Sequence, residues 1–321
     1  MTLKQLRFLR EISRQSLNMS SAALALHTSQ PGVSRQLQEL ERELGVELLV
    51  RRKNRVLALT DAGQAVLVSA RRMLDEADNI RLIAEDLRNE RGGRLALATS
   101  HLHARYTLLA PVKAFTERYP EVQLHLLQAD PDDVPKLIEA NEADVGISTD
   151  ITGAHPALVL LPSGVLKRSV IMPKGHPLAR RKRITLADLA HFPIVGYSPR
   201  SRGGQIIAKA FHDEGIDARF VVSASDSDVI KAYVEEGLGI AIVPTLAVGS
   251  VPPKLQVAEA THLFPKSVTI ISLRRDIYLR RYLTDFIQML VPTLTRDAIY
   301  RAMNAHADGP ESARRRPPQR T

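Results

Sequence analysis

Thr28-Ser29-Gln30-Pro31-Gly32-Val33-Ser34-Arg35-Gln36-Leu37 is the stretch on which the fold turns. Ser29 is placed to cap a helix, and Pro31 falls in its first turn, where a missing N–H costs nothing. Val33, Leu37 and Leu40 then recur at four- and three-residue steps and face inward, which leaves Gln30, Ser34, Arg35 and Gln38 on the opposite face. Just upstream, Ser20 or Ser21 can cap a second helix over Ala22 to Leu26, with His27-Thr28 as the turn between the two. Leu3, Leu6, Leu9 and Ile12, thickened by Phe8, form the stripe of a first helix. Two helices joined by a tight turn, the second offering Gln, Ser and Arg outward, lay a recognition helix in a major groove. Arg and Gln suit bidentate contacts with guanine and adenine edges. A plain helical hairpin with a polar face would share this spacing.

The segment beyond these helices favours the DNA reading. Leu48-Leu49-Val50 leads into Arg51-Arg52-Lys53-Asn54-Arg55 and then Val56-Leu57-Ala58-Leu59, a hairpin with a cationic tip. Such a wing can hold phosphates or the minor groove beside the helix. The net charge of +9 is concentrated accordingly. Residues 1–60 hold ten Lys/Arg against five Asp/Glu, and residues 301–321 hold five against two. Excess cation in a short folded segment is the footprint of a phosphate backbone, though a solvated basic face would carry it too.

Thr60 can cap a long helix from Asp61 to about Glu90. Within it Val66, Ala70, Met73, Ala77, Ile80, Ala84 and Leu87 alternate steps of four and three, a period that suits pairing with an identical helix or packing along the protein's own body. Arg91-Gly92-Gly93 ends it. Beyond, the pattern becomes strand, helix, strand: Leu95–Thr99, Val122–Leu126 and Val145–Thr149, then Ser169–Met172, Ile194–Tyr197, Phe220–Val222 and Ile240–Val243, with helical stretches between. Repeated units of this kind mean parallel sheets with a cleft at the carboxyl ends of strands. Val268 to Leu273 and a helix from Ile277 to Leu290 return to complete the first unit, leaving two lobes.

The chain resembles the LysR-type transcriptional regulators, and most closely their CysB-like branch. The resemblance rests on the stretch 28–37 together with Leu40-Glu41, Leu44-Gly45 and Leu59-Thr60-Asp61-Ala62-Gly63, and further on Thr99–Tyr106, Phe115–Pro120, Ala224–Lys231, Leu263-Phe264-Pro265 and Leu294–Asp297. It covers residues 1 to about 300. It implies an α/β protein with an N-terminal winged helix-turn-helix over 1–60 and a linker and dimerisation helix over 61–90. A two-lobed, periplasmic-binding-protein-like effector domain then runs over 91–300, its second lobe from about 163 to 267, before a basic tail without fixed structure over 301–321. The implied partners are double-stranded promoter DNA, a small anionic effector, further copies in a dimer or tetramer, and RNA polymerase. The implied role is control of sulfur-assimilation or sulfonate-utilisation genes through sulfate, a sulfonate or an acetylserine-like metabolite.

The DNA-contacting set is then Ser29, Gln30, Pro31, Ser34, Arg35, Gln38, Arg51, Arg52, Lys53 and Arg55. The effector set is Ser100, His101, Leu102, His103, Thr149, Arg202 and Gly203. Ser100 and Thr149 stand at strand ends, where an anion meets hydroxyls and helix N-terminal amides, although ordinary capping would also place them there. The sequence departs from the family at Leu49, usually Phe, and at Asp61, usually Pro. It departs from the CysB-like branch at Leu102 in place of a hydroxyl, His103 in place of an amide, and Arg202 in place of Thr. Arg202 can either clamp an anion or point into solvent from a flexible Ser201–Gly204 loop.

Other classes fare worse. His101 and His103 find no third ligand at recognisable spacing, so no metal is expected. The chain contains no cysteine, which excludes disulfides and thiolate chemistry. No nucleophile elbow, Walker loop or paired-carboxylate motif supports an enzyme built on the α/β part. A transport-type solute-binding protein would share the cleft but not the N-terminal helices. No apolar run approaches the roughly 18–20 residues of a membrane span. The amphipathic start Met1–Arg7 does not read as a secretory signal, so a cytoplasmic, non-enzymatic protein is expected.

Overall fold

A computed structural model of the chain describes residues 1–52, 55–88, 92–249 and 253–305. It divides into two compact units. The first comprises Met1–Asn89 with Asp276–Arg280, and the second Glu90–Arg275 with Arg281–Thr321.

Helix α1 spans Leu3–Arg14 and opens on a capping box between Thr2 and Gln5. Helix α2 is Met19–Ala25, capped by Asn18, whose side chain accepts from the N–H groups of Ser20 and Ser21. The serines expected as caps are thus the donors, and the helix starts earlier than their positions suggest. Helix α3 is Gln30–Leu44, with Ser29 accepting from Gly32 N–H and Gly45 closing the far end at φ 70°. Strands β1 (Leu49–Arg52) and β2 (Arg55–Leu59) pair antiparallel as the wing. Lys53 and Asn54 lie outside the described residues, as does the Arg55 side chain.

The core of this unit joins Leu6, Leu9, Ile12, Ala22, Val33, Leu37, Leu40 and Leu48 to Leu67, Ala70 and Leu74 of helix α4 (Asp61–Leu87). Each fully buried Leu or Ile contributes about 1.5–3 kcal/mol relative to exposure. Thr60 anchors the entry to α4, donating to Glu47 O at 2.7 Å and accepting from Gly63 N–H at 2.9 Å. A side chain at Gly63 would place its Cβ 2.0 Å from Leu48 O, so only glycine fits where α4 crosses the wing. The heptad reading of α4 divides. Ala70 turns into the unit's own core beside Leu67 and Leu74, whereas Met73, Ile80 and Leu87, seven residues apart, are 45%, 61% and 76% exposed. Asn79, on the buried side, donates to Asp276 O and accepts from Tyr278 N–H, holding the short segment 276–280 in this unit.

The second unit has two lobes. In the first, β3 (Gly93–Thr99) lies parallel to β4 (Val122–Gln128) and β5 (Val145–Thr149). Strand β12 (Ser267–Arg274) runs antiparallel between β5 and β6 (Leu158–Leu166), completing the order β4-β3-β5-β12-β6. Three helices, α5 (His101–Tyr106), α6 (Leu109–Arg118) and α7 (Val134–Glu139), connect these strands.

The chain crosses to the second lobe at Lys167, between β6 and β7 (Arg168–Pro173), and returns into β12. There β7 pairs antiparallel with β10 (Ala241–Pro244) and β11 (Leu255–Glu259), while β8 (Ile194–Tyr197) and β9 (Phe220–Ala224) pair parallel. A bridge between Ile194 and Ile240 connects the two groups. Its helices are α8 (Leu186–Ala190), α9 (Arg202–Asp213) and α10 (Ser227–Glu235). The all-parallel expectation therefore holds only for the β-α-β cores, since each sheet also takes antiparallel strands brought by the crossings. Helix α11 (Arg281–Leu290) packs Phe286 edge-on against Phe115 of α6, and α12 (Arg296–Asn304) carries the fold past residue 300. Residues 306–321 of the expected tail lie outside the described set.

Candidate functional site

Two sites emerge, one in each unit. In the first, α3 turns Val33, Leu37 and Leu40 inward and leaves Ser29, Gln30, Pro31, Arg35 and Gln38 exposed, with Ser34 half-buried. Glu41 explains how the wing is held to this helix. Its Oε1 accepts from the N–H groups of Leu48 and Leu49 at 2.9 and 3.1 Å, and its Oε2 pairs with Arg51 at 2.8 Å. Arg51 is thus committed to Glu41, while Arg52 is exposed. Glu41 was visible in the sequence only as part of a motif; its role as a strut comes from the geometry.

The second site is a cavity of about 160 Å³ between the two lobes of the second unit. Ser100, His101, Leu102, Thr149, Arg202 and Gly203 all line it. Ser100 occupies the N-cap position of α5 but makes no side-chain capping bond, so its hydroxyl is not spent on the helix. Arg202 is not on a loop. Ser201 caps α9 and Arg202 is its first residue, half-buried, with an Nε that has no hydrogen-bond partner among the described residues. A cation at a helix N-terminus opposes the macrodipole, a placement that a bound anion would relieve.

His103 departs from expectation because it does not line the cavity. It is 1% exposed, with Nε2 at 2.8 Å from Thr149 Oγ1 and Nδ1 at 3.0 Å from Thr107 Oγ1. Burial depresses its pKa to about 4, so the imidazole is neutral at neutral pH. Its part is to orient Thr149. When Nε2 carries the proton Thr149 accepts it, and the threonine hydroxyl proton can turn either to Thr269 Oγ1 at 3.5 Å or to the cavity.

Among the groups at the cavity not singled out from sequence are Arg168, Tyr197 and Asp226. Arg168 opens β7, is 4% exposed, and lies over the Phe264 ring at 5.6 Å. A cation preceding an apolar strand reads as a solvent-facing flank, so only the fold reveals it. Tyr197 exchanges a 2.5 Å hydrogen bond with Ser227, and burial pushes its phenol well above the ordinary range. Asp226 caps α10 by accepting from the N–H groups of Asp228 and Val229.

Beside the cavity, Asp228 joins the lobes. It accepts from Tyr106 of α5 at 2.5 Å and pairs with Lys231 at 2.9 Å, and Lys231 also donates to Tyr106 Oη and Ala247 O. Burial works to raise the Asp228 pKa, but the hydrogen bonds from Tyr106, Lys231 and His101 outweigh it and hold the carboxyl at about 2. His101, Asp226 and Asp228 bring ligand-type atoms within 4.8 Å of one another. Lys231 and Arg105 face the same Asp228 carboxylate, so a metal ion there would meet competing cations.

Two family models match the chain, one described as "Bacterial regulatory helix-turn-helix protein, lysR family" over residues 3–64 and one as "LysR substrate binding domain" over residues 88–295. Among curated relatives, the HTH-type transcriptional regulator SsuR of Burkholderia cenocepacia is 40% identical over 93% of this chain and 97% of its own length. The HTH-type transcriptional regulator CysB of the same organism is 38% identical over 97% of this chain and 100% of its own. Among solved structures, the cofactor-binding domain of the Cbl transcriptional regulator superposes with a TM-score of 0.61 at 35% identity, covering 67% of this chain and 94% of that one.

Proposed function

The chain belongs to the LysR family of bacterial regulatory helix-turn-helix proteins, and from that premise we propose that it is a promoter-binding regulator whose operator affinity responds to a small anion held between the lobes of its second unit. The observation that carries the first half is the exposed face of α3. Gln30, Arg35 and Gln38 project from a helix whose other side is locked into a packed head, the geometry of a reader in the major groove. Arg52, Lys53 and Arg55 supply phosphate contacts, with Arg51 held in place by Glu41. The open apolar line Met73, Ile80 and Leu87 on α4 pairs two chains and so presents two reading heads to a dyad-symmetric site, in a dimer or a tetramer.

The cavity supports the second half through Ser100, Thr149 and Arg202. In this reading it binds its ligand without transforming it: His103 is buried behind Thr149 and held at both nitrogens, His101 at the cavity lies 3.4 Å from Asp228, and Asp226 caps α10 through one carboxylate oxygen. Likeness to CysB and SsuR favours genes of sulfur assimilation or sulfonate utilisation as targets, with sulfate, a sulfonate or an acetylserine-like metabolite as effector. Contact with RNA polymerase at the promoter and action in the cytoplasm belong to the same reading; no helix among the described residues is long and apolar enough to cross a membrane.

A gel-shift titration tests it, using a duplex from upstream of sulfonate-transport genes and a scrambled duplex of equal length. The proposal predicts preference for the first, lost in Arg35→Ala. Equal affinity for both duplexes would refute it.

A further inference from the structure

Resting on the reading of the cavity as an anion site, we propose that its ligand is an organic monoanion with an apolar carbon body, its head group gripped by the guanidinium of Arg168, rather than inorganic sulfate. Arg168 is anchored by its backbone, whose N–H donates to Thr261 Oγ1 while its carbonyl accepts from the same hydroxyl. Its guanidinium borders the cavity and, among the described residues, makes no hydrogen bond or ion pair. The Phe264 ring offers it a π-face but no acceptor for its N–H groups. The carboxylate whose charge acts on it, Asp150, makes no ion pair with it among the described residues and accepts instead from Val268 N–H at 2.9 Å. With no protein acceptor among the described residues, its N–H groups are left to the cavity, and an anionic head group there would replace water with a charge-assisted contact.

The rest of the cavity fixes the remainder of the ligand. Leu102, Leu166, Ile206, Ile207, Ile242 and Val243 contribute apolar wall. A sulfate ion has acceptor oxygens on every side, and those facing this wall would lose their hydration without replacement. A sulfonate or carboxylate with an alkyl body presents charge to Arg168 and carbon to the isoleucines. Asp130, Asp150 and Asp226 at the same cavity also disfavour a dianion over a monoanion.

Titration calorimetry of the full chain decides the matter, using sulfate, methane-, ethane-, propane- and 1-butanesulfonate, and 2-aminoethanesulfonate. Affinity should rise about fourfold per added methylene, the equivalent of about 0.8 kcal/mol of burial, with sulfate weaker than ethanesulfonate. Arg168→Gln should weaken every sulfonate by about ten- to a hundredfold. Should that variant fail to fold, Ile206→Ser should still flatten the chain-length series. A flat series in the parent protein, sulfate as the tightest ligand, or 2-aminoethanesulfonate binding more tightly than ethanesulfonate would each overturn the apolar body while leaving the anion site standing. Unchanged sulfonate affinity in folded Arg168→Gln would overturn the grip. Binding of none of these anions would overturn the anion reading itself, and this inference with it.

Discussion

Lowering the pH from 7 to 5 should destabilise the effector-binding unit through one side chain, His103. Burial sets its folded-state pKa at about 4 against an ordinary value of 6.5. As the pH falls the unfolded chain takes up the proton first, while the folded chain resists it. The stability associated with the neutral imidazole is therefore complete above about pH 6.5 and drains away down to about pH 4. At about 1.4 kcal/mol per pH unit the full interval corresponds to about 3 kcal/mol, of which about 2 kcal/mol is lost by pH 5. That is a large part of a typical net stability of about 5–15 kcal/mol. His103→Gln retains a donor and an acceptor for Thr107 and Thr149 but cannot titrate. Urea unfolding followed by circular dichroism at pH 7, 6 and 5 should show the parent losing about 2 kcal/mol more than the variant. Parallel losses in the two proteins, or an NMR titration of the His103 ring with a midpoint near 6.5, would show that His103 is not the group responsible.

Three further outcomes concern the first unit. Gly63→Ala should cost about 3 kcal/mol or more in chemical denaturation, because the added carbon meets the Leu48 carbonyl rather than a side chain that could move. Met73→Glu with Ile80→Glu places charges on positions already exposed in the single chain, so light scattering should report a smaller, folded species; unchanged size would place the subunit contact elsewhere. Lys53→Ala should weaken specific and scrambled duplexes alike and reduce the slope of log K against log salt by about 0.9, whereas an unaltered slope would remove Lys53 from the phosphate contacts.

The head was legible because its signals are local. A cap, a first-turn proline and a single apolar stripe identify α3 within ten residues, and the spacing of turn and strand residues identifies the wing. Helix α2 was placed late because Asn18 and the two serines are all good caps, and spacing does not say which one accepts. In α4 two apolar lines overlap. The line through Leu67, Ala70 and Leu74 is occupied by the chain's own core, so the longer heptad line is left with Met73, Ile80 and Leu87. Strand β6 was missed because Pro162 and Gly164 interrupt it; it survives as an edge strand with an irregular register opposite Thr269 and Ile270. Strand β11, also at an edge, buries only Leu255 fully and leaves Val257 exposed, so its five residues carry no clear two-residue period.

The cavity was legible where residues follow strands or open helices, as at Ser100, Thr149 and Arg202. It was not legible in depth. Sequence places His101, Leu102 and His103 together, yet the turn of α5 sends the third behind Thr149. Arg168 is brought to the cavity only by the crossing from β6 to β7, which no local pattern announces.

Coupling between the cavity and the reading head is measured by fluorescence anisotropy of a labelled operator duplex titrated with the full chain, with and without a saturating alkanesulfonate at constant ionic strength. Linkage requires that an effector bound between the lobes alter operator affinity by the factor by which the operator alters effector affinity. Specific binding should show a midpoint that moves at least about fivefold with the anion, in the parent protein but not in Arg168→Gln. A specific complex whose midpoint ignores every anion that calorimetry shows to bind would contradict that coupling.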